Sequence, residues 1–241
     1  MTEIFYSATI LIMASKGFFI TGTDTGVGKT FVTAGIAAVL KEKGVNVGVM
    51  KPVETGCAEK DGKLEPQDAI FLKKMSGVGD DMDLINPYRF KAPLAPAVAS
   101  RVEGKTVELN RIKECYNKLA SRHSMMFVEG AGGLLAPINE NKTIADLIKL
   151  LNLPLIIIAA SRLGAINHTL LTVRYAQSVG ILVAGIILNY PAFTMEEVSS
   201  LNQAEIKRLT NVPVAGELPF CDEDRVSKMV KKYLKLSFLE E

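Results

Sequence analysis

Gly22-Thr23-Asp24-Thr25-Gly26-Val27-Gly28-Lys29-Thr30 decides the fold. It follows the apolar run Gly17–Thr21 and opens a helix-length stretch, Lys29–Lys43. Strand, glycine-rich turn and helix in that order are the context a phosphate-binding loop requires. Successive loop N–H groups and the helix N-terminus offer partial positive charge to anions. Thr25, Gly26, Val27 and Gly28 supply the amide cradle. Lys29 is placed to neutralise the β and γ oxygens, and the Thr30 hydroxyl to ligate Mg²⁺. The usual spacing puts a glycine five residues before Gly28; here Thr23 stands there, with Gly22 just before it. An ordinary glycine-rich turn capped by threonine is the competing reading, but it does not account for strand, Gly-Lys-Thr and helix together.

Outward from the loop, short apolar runs alternate with helix-length segments. Strands are expected at Gly17–Thr21, Val45–Met50, Met125–Val128, Leu155–Ala160, Leu182–Leu188 and Val212–Glu217. Helices are expected at Lys29–Lys43, Gln67–Met75, Glu108–Arg122, Thr143–Leu151, Ile166–Val179 and Met195–Leu209, with an amphipathic last one near Asp224–Leu236. Runs such as Leu155-Ile156-Ile157-Ile158 do not alternate, as expected of strands covered on both faces. The order predicts an α/β, P-loop NTPase-like fold: one domain, a mostly parallel central sheet and helices on both faces. Lys51 to Glu108 is rich in proline and glycine and long for a plain connection, which marks a functional loop. The domain is set at 17–241. Residues 1–16 are read as an N-terminal extension, with Met13 a candidate native start and an added edge strand or arm as the alternative.

Composition removes several classes. The 241 residues are 48% hydrophobic, enough for a buried core. With 28 basic and 26 acidic side chains, the net charge of +2 argues against a nucleic-acid-coating protein. Ala8–Met13 is too short to span a bilayer and lacks a preceding basic region, so neither membrane insertion nor secretion is expected. Three cysteines without a C-x-x-C pattern fit a reducing cytoplasm. Two histidines, His123 and His168, are read as structural, and Cys57 as inert.

Ligands of open α/β sheets gather at the carboxyl ends of strands. Lys51 sits at the mouth of the second strand, where it is poorly solvated unless an anion meets it, although a snorkelling surface lysine is the alternative. Glu129 ends the third strand and opens Gly130-Ala131-Gly132-Gly133, the layout of a carboxylate beside nucleotide-bound magnesium; a turn cap is the alternative. Asp68 reads either as a third Mg²⁺ oxygen ligand or as a helix-start residue. Asn189 reads either as an adenine-edge contact or as a turn residue beside Pro191. Together, two lysines, the oxygen set Thr30, Asp68 and Glu129, and a nest of amides make a phosphoryl-transfer site that works by positioning and charge.

In ATPases that place septa or partition plasmids, this loop carries a second, early lysine; Asp24 holds that position here. The chain instead resembles the dethiobiotin synthetases. The resemblance rests on the phosphate loop, Lys51-Pro52-Val53-Glu54-Thr55-Gly56, Asp68 in its Gln-Asp-Ala setting, Asn86-Pro87-Tyr88, Val128-Glu129-Gly130-Ala131-Gly132-Gly133, Leu163-Gly164-Ala165-Ile166-Asn167-His168 and Gly216-Glu217-Leu218-Pro219-Phe220. One departure is Gly26, where well-known members carry an acidic residue, so no substrate-amine contact is assigned there. Nothing is carried over from Tyr190 to Ala215.

The resemblance implies an ATP- and Mg²⁺-dependent ligase that closes a ureido ring on 7,8-diaminononanoate with carbon dioxide. It implies that Lys51 holds carbamate and γ-phosphate, that Lys29 holds the transferring phosphoryl group, and that Thr55 lies near the diamine. It adds Leu218, Pro219 and Phe220 to the nucleotide site. It also implies a homodimer in which Gly164, Ala165, Ile166 and Asn167 reach the substrate across the interface. Two other classes compete. A related amide-forming ligase would need an added glutamine amidotransferase domain, and a partition-type regulatory ATPase would turn over without any diamine.

Overall fold

The computed structural model describes residues 17–192 and 197–239. The expected extension at 1–16 lies outside them, as does Met195, the expected start of a helix. Six parallel strands form the central sheet: β1 (Gly17–Gly22), β2 (Val47–Met50), β7 (Met125–Glu129), β8 (Leu155–Ala160), β9 (Val183–Asn189) and β10 (Val214–Leu218). Their order is β10-β9-β8-β1-β7-β2. All six are the strands expected from sequence: β8 has the expected bounds, and the other five differ by one or two residues at one or both ends.

The sheet is buried on both faces, as its unbroken apolar runs require. Phe18, Ile20, Phe127, Ile156 and Ile158 face one cluster, completed by α1 (Lys29–Glu42) and α9 (Val226–Tyr233). Phe19, Met50, Val128 and Ile157 face the other, covered by α5 (Leu109–Ala120), α6 (Ile144–Leu151), α7 (Ala165–Ser178) and α8 (Glu197–Leu209). Phe18, Phe19 and Ile20 are at most 2% exposed, and each such side chain contributes about 1.5–3 kcal/mol by leaving water. Gly35 seats α9 on α1: a Cβ there would lie 2.7 Å from a Val226 methyl and 2.8 Å from a Val230 methyl.

Register places the strand ends in a row. Met50 lies beside Val128, so Lys51 and Glu129 leave the sheet as neighbours. Ile20 lies beside Glu129, Gly22 beside Ile158, and Ala160 and Leu218 both beside Asn189. The chain leaves β1 toward β2 and β7 on one side, then crosses to β8 on the other. The carboxyl end of β1 therefore lies at the reversal of strand order, where ligand crevices form in such sheets.

The segment between β2 and α5, expected as a long functional loop, carries elements of its own. β3 (Val53–Thr55) pairs parallel with β6 (Tyr88–Phe90), and β4 (Ala58–Lys60) pairs antiparallel with β5 (Lys63–Glu65). Helices α2 (Gln67–Ser76), α3 (Met82–Ile85) and α4 (Pro96–Glu103) complete it. Strands of three residues leave no periodicity to read, which is why they were not expected. Asn86, fully buried, donates from Nδ2 to the Lys51 carbonyl at 2.6 Å, and the Lys51 amide donates to the Ile85 carbonyl at 2.8 Å. This segment thus clamps the backbone at Lys51. Among the described residues, no helix is long and apolar enough to cross a membrane.

Candidate active site

The loop between β1 and α1 is shaped by glycines in left-handed conformation. Gly26 has φ 74° and Gly28 φ 91°. At Gly28 a Cβ would also stand 2.1 Å from the Asn189 amide nitrogen, which donates to the Val27 carbonyl at 2.9 Å. Asn189, at the end of β9, therefore reaches across and braces the loop. Its Oδ1 is buried without a partner among the described residues. Gly28 caps α1 with no side-chain hydrogen bond, which leaves the first helical amides open to an anion. The Lys29 ammonium donates to the Asp24 carbonyl at 3.2 Å.

Against the loop stands a polar cluster of Lys51, Asp68 and Glu129, drawn from three segments of the chain. The Lys51 ammonium lies 2.5 Å from Glu129 Oε1 and 2.7 Å from Asp68 Oδ2. Thr30 donates its hydroxyl to the same Glu129 oxygen at 2.7 Å. Lys51 is 4% exposed and Glu129 fully buried, so these charges depend on one another and on their hydrogen bonds. The second Glu129 oxygen, Oε2, is buried without a partner among the described residues. Burial lowers the Lys29 ammonium below its ordinary value, and the charge of Lys51 adds to that. Burial acts on Lys51 in the same sense, yet Glu129 and Asp68 outweigh it and hold this ammonium above its ordinary value. Asp68 likewise overcomes its burial through Lys51 and sits below the usual carboxylate range.

Loop and cluster wall a single cavity of about 710 Å³. It is lined by Thr25, Gly26, Gly28, Lys29, Thr30, Lys51, Thr55, Asp68, Glu129, Ala131, Gly132, Asn189 and Phe220, all expected site residues. Other expected residues stand apart from that wall. Val27 is buried and contributes its carbonyl to Asn189. Gly130 packs toward Phe19, and Leu218 is fully buried in the core. Gly164, Ala165, Ile166 and Asn167 form the start of α7 and do not line the cavity of this protomer. Gly164 has φ 90° and makes no side-chain cap, while Asn167 is exposed.

Sequence reasoning missed Glu54, Tyr190 and the Pro93–Pro96 wall, all of which line the cavity. Glu54 is 6% exposed and accepts from the Asp68 amide at 2.9 Å and the Ala69 amide at 3.0 Å. Burial, then the charge of Asp68, pushes its carboxyl up to about 7. Its signal was available: a carboxylate inside the Lys-Pro-Val-Glu-Thr-Gly run, directly after a buried strand. Cys57 is buried, and burial together with Glu54 pushes its thiol up to about 11, well away from a thiolate. His123 lies far from the cavity, before β7, bonded to Asp80 and Asn46.

A family model described as an AAA domain matches residues 16–224. The chain is 42% identical over 227 residues to the ATP-dependent dethiobiotin synthetase of Bacillus subtilis (strain 168), spanning 93% of this chain and 97% of that relative. It is 40% identical over 227 residues to that of Thermodesulfovibrio yellowstonii, and 44% identical over 231 residues to that of Bacillus cereus (strain G9842). The fold is similar to the MinC:MinD cell division complex of Aquifex aeolicus, with TM-score 0.55 and 14% identity over 89% of this chain and 86% of that one. A ParA family ATPase from Chlorobium tepidum gives TM-score 0.53 and 15% identity over 94% and 92% of the two chains. At such identity these two establish the P-loop architecture and nothing further.

Proposed function

The chain belongs to the dethiobiotin synthetase family, and we propose that it uses ATP, Mg²⁺ and carbon dioxide to convert 7,8-diaminononanoate to dethiobiotin. One amine adds to carbon dioxide and loses a proton, giving a carbamate. A carbamate oxygen attacks the γ-phosphorus and ADP leaves. The second amine then attacks the carbonyl of that carbamic–phosphoric anhydride, inorganic phosphate departs and the ring closes.

A single observation carries this reading: Lys29 and Lys51, both nearly buried, line one cavity. A carbamate and a γ-phosphate are both anionic, and bringing them together demands cations on both sides. Lys51 holds the carbamate against the γ-phosphate; Lys29 follows the transferring phosphoryl group. Thr55 lies at the diamine end. The nucleotide rests on the amides of Thr25 to Thr30 and beside Gly130-Ala131-Gly132, with its base near Asn189 and the segment Leu218-Pro219-Phe220.

The residues fit a magnesium ion. Glu129 Oε2 is an orphaned buried oxygen, and the Thr30 hydroxyl and Asp68 carboxylate stand near it in the same polar cluster. Such hard oxygen donors suit that cation. Thr30, Asp68 and Glu129 would hold it, and it would neutralise charge on the β and γ oxygens. Lys51 shares the two carboxylates and keeps them oriented.

The start of α7 is assigned to the substrate carboxylate, reached from a second copy of the chain in a homodimer. No side chain caps this helix; the Ala165 amide donates to the Arg162 carbonyl at 2.9 Å, and the amides of Gly164, Ile166 and Asn167 are left to meet an anion, which supports this assignment. The free thiols of Cys57, Cys115 and Cys221 accord with work in the cytoplasm.

Incubation with Mg-ATP, bicarbonate and 7,8-diaminononanoate tests the reading. Dethiobiotin and ADP should appear in equal amounts. ADP release that ignores the diamine would replace it with a switch ATPase.

A further inference from the structure

Helix α2 starts without a cap of its own. Its N-cap position is Pro66, which makes no side-chain hydrogen bond. The first free amides are met instead by Glu54 on β3, one carboxylate oxygen on the Asp68 amide and the other on the Ala69 amide. A buried carboxylate is costly unless its oxygens are satisfied, and two amides at a helix N-terminus satisfy both. A serine or aspartate at position 66 would cap the helix with far less desolvation. The grip from β3 does something that a local cap would not.

It ties Asp68 to the segment that carries Lys51. The Asp68 carboxylate receives the Lys51 ammonium at 2.7 Å while the Asp68 backbone is held by Glu54, three residues after Lys51. Side chain and main chain of one residue are thereby fixed from the same short run. The two carboxylates repel each other, so the arrangement persists only because amides and ammonium outweigh that repulsion.

We infer that Glu54 is a positioning residue for Asp68: by holding the Asp68 and Ala69 amides, it fixes the Asp68 carboxylate where Lys51 and the nucleotide-bound cation meet it. The inference rests on the proposed role of Asp68 as a Mg²⁺ ligand. Both Glu54 oxygens are taken by these amides, so Glu54 acts through Asp68.

The test compares Glu54→Ala, Glu54→Gln, Asp68→Asn and the double variant Glu54→Ala/Asp68→Asn in the full chain. Three quantities are read: hydrogen exchange at the start of α2, the Mg²⁺ concentration giving half-maximal ATP binding by calorimetry, and the thermal midpoint. Glu54→Ala should speed exchange at Asp68 and Ala69 and raise the Mg²⁺ requirement roughly fivefold, the equivalent of one lost cap. Glu54→Gln, which keeps one acceptor, should fall between that variant and the wild type. In the Asp68→Asn background, Glu54→Ala should shift the Mg²⁺ requirement no further. A lower thermal midpoint with an unchanged Mg²⁺ requirement would reduce Glu54 to a structural cap and overturn the inference. So would equal shifts in both backgrounds. If Asp68→Asn alone leaves the Mg²⁺ requirement unchanged, the metal role of Asp68 falls and this inference with it; a shift there without one in Glu54→Ala removes the inference alone. Should Glu54→Ala fail to fold, Glu54→Gln carries each comparison.

Discussion

The phosphate loop and the Lys51–Asp68 wall line one cavity and are joined by the bond from Thr30 to Glu129, yet they are built by different means. The loop takes its groups from the consecutive residues Gly22 to Thr30, and backbone conformation shapes it. The wall takes Lys51, Asp68 and Glu129 from three elements, and side-chain bonds hold it together. One is shaped mainly by its own backbone and is braced from afar by Asn189. The other exists only because Met50 pairs with Val128 in the sheet. The loop should thus fail through backbone changes, and the wall through loss of charge.

Five substitutions can break or sharpen that contrast. Lys51→Ala should cost on the order of 100-fold or more in turnover while ATP binding stays nearly intact, because its charge matters most as the phosphoryl group moves. Lys29→Ala should lose both. Steady-state rates beside calorimetric affinities separate the two lysines, and near-normal turnover in Lys51→Ala would end the claim for the wall.

Gly28→Ala removes no functional group, yet it should weaken ATP binding by more than about tenfold. An alanine there adopts a left-handed conformation, and its methyl meets the Asn189 amide. Unchanged affinity would show that the loop is not governed by its backbone.

Glu129→Gln keeps the shape and removes the charge. The Mg²⁺ needed for half-maximal activity should rise about tenfold, one charged partner's worth, and added Mg²⁺ should restore part of the rate. No such rescue is expected for Lys51→Ala. Equal insensitivity of rate and Mg²⁺ dependence would leave Glu129 a turn residue.

Gly26→Ala should have the smallest effect. The conformation is again left-handed, but a Cβ there meets nothing within 4 Å. Only the backbone cost of roughly 1 kcal/mol remains, a severalfold loss of affinity. A loss as large as that of Gly28→Ala would mean that the Asn189 contact contributes little.

What the sequence made legible follows the same division. The loop, Lys51 and Glu129 each directly follow or end a long apolar strand, and such strands announce themselves by composition. The neighbours of those ends in space are set by strand order, which one sequence states only weakly. Glu54 illustrates the gap. Its role depends on α2 folding back so that the Asp68 amide lies under a carboxylate of β3, and no spacing rule encodes that return. Asn189 was read for its amide edge, but its nitrogen is committed to the Val27 carbonyl, a contact between residues far apart in the chain. The α7 start is expected as an anion-binding turn; it follows β8, and Gly164 and Asn167 are exposed outside the cavity wall.

The position of β1 has a consequence in time rather than in space. Its partners are β7 and β8, so Ile20 waits for Glu129 and Gly22 waits for Ile158. A chain emerging from the ribosome exposes this apolar strand, and the loop attached to it, until both partners have been made. Contacts of such long sequence separation slow folding and leave unpaired strand edges open to other chains. ATP recognises only the assembled loop, so the nucleotide stabilises the finished protein and none of the species that precede it.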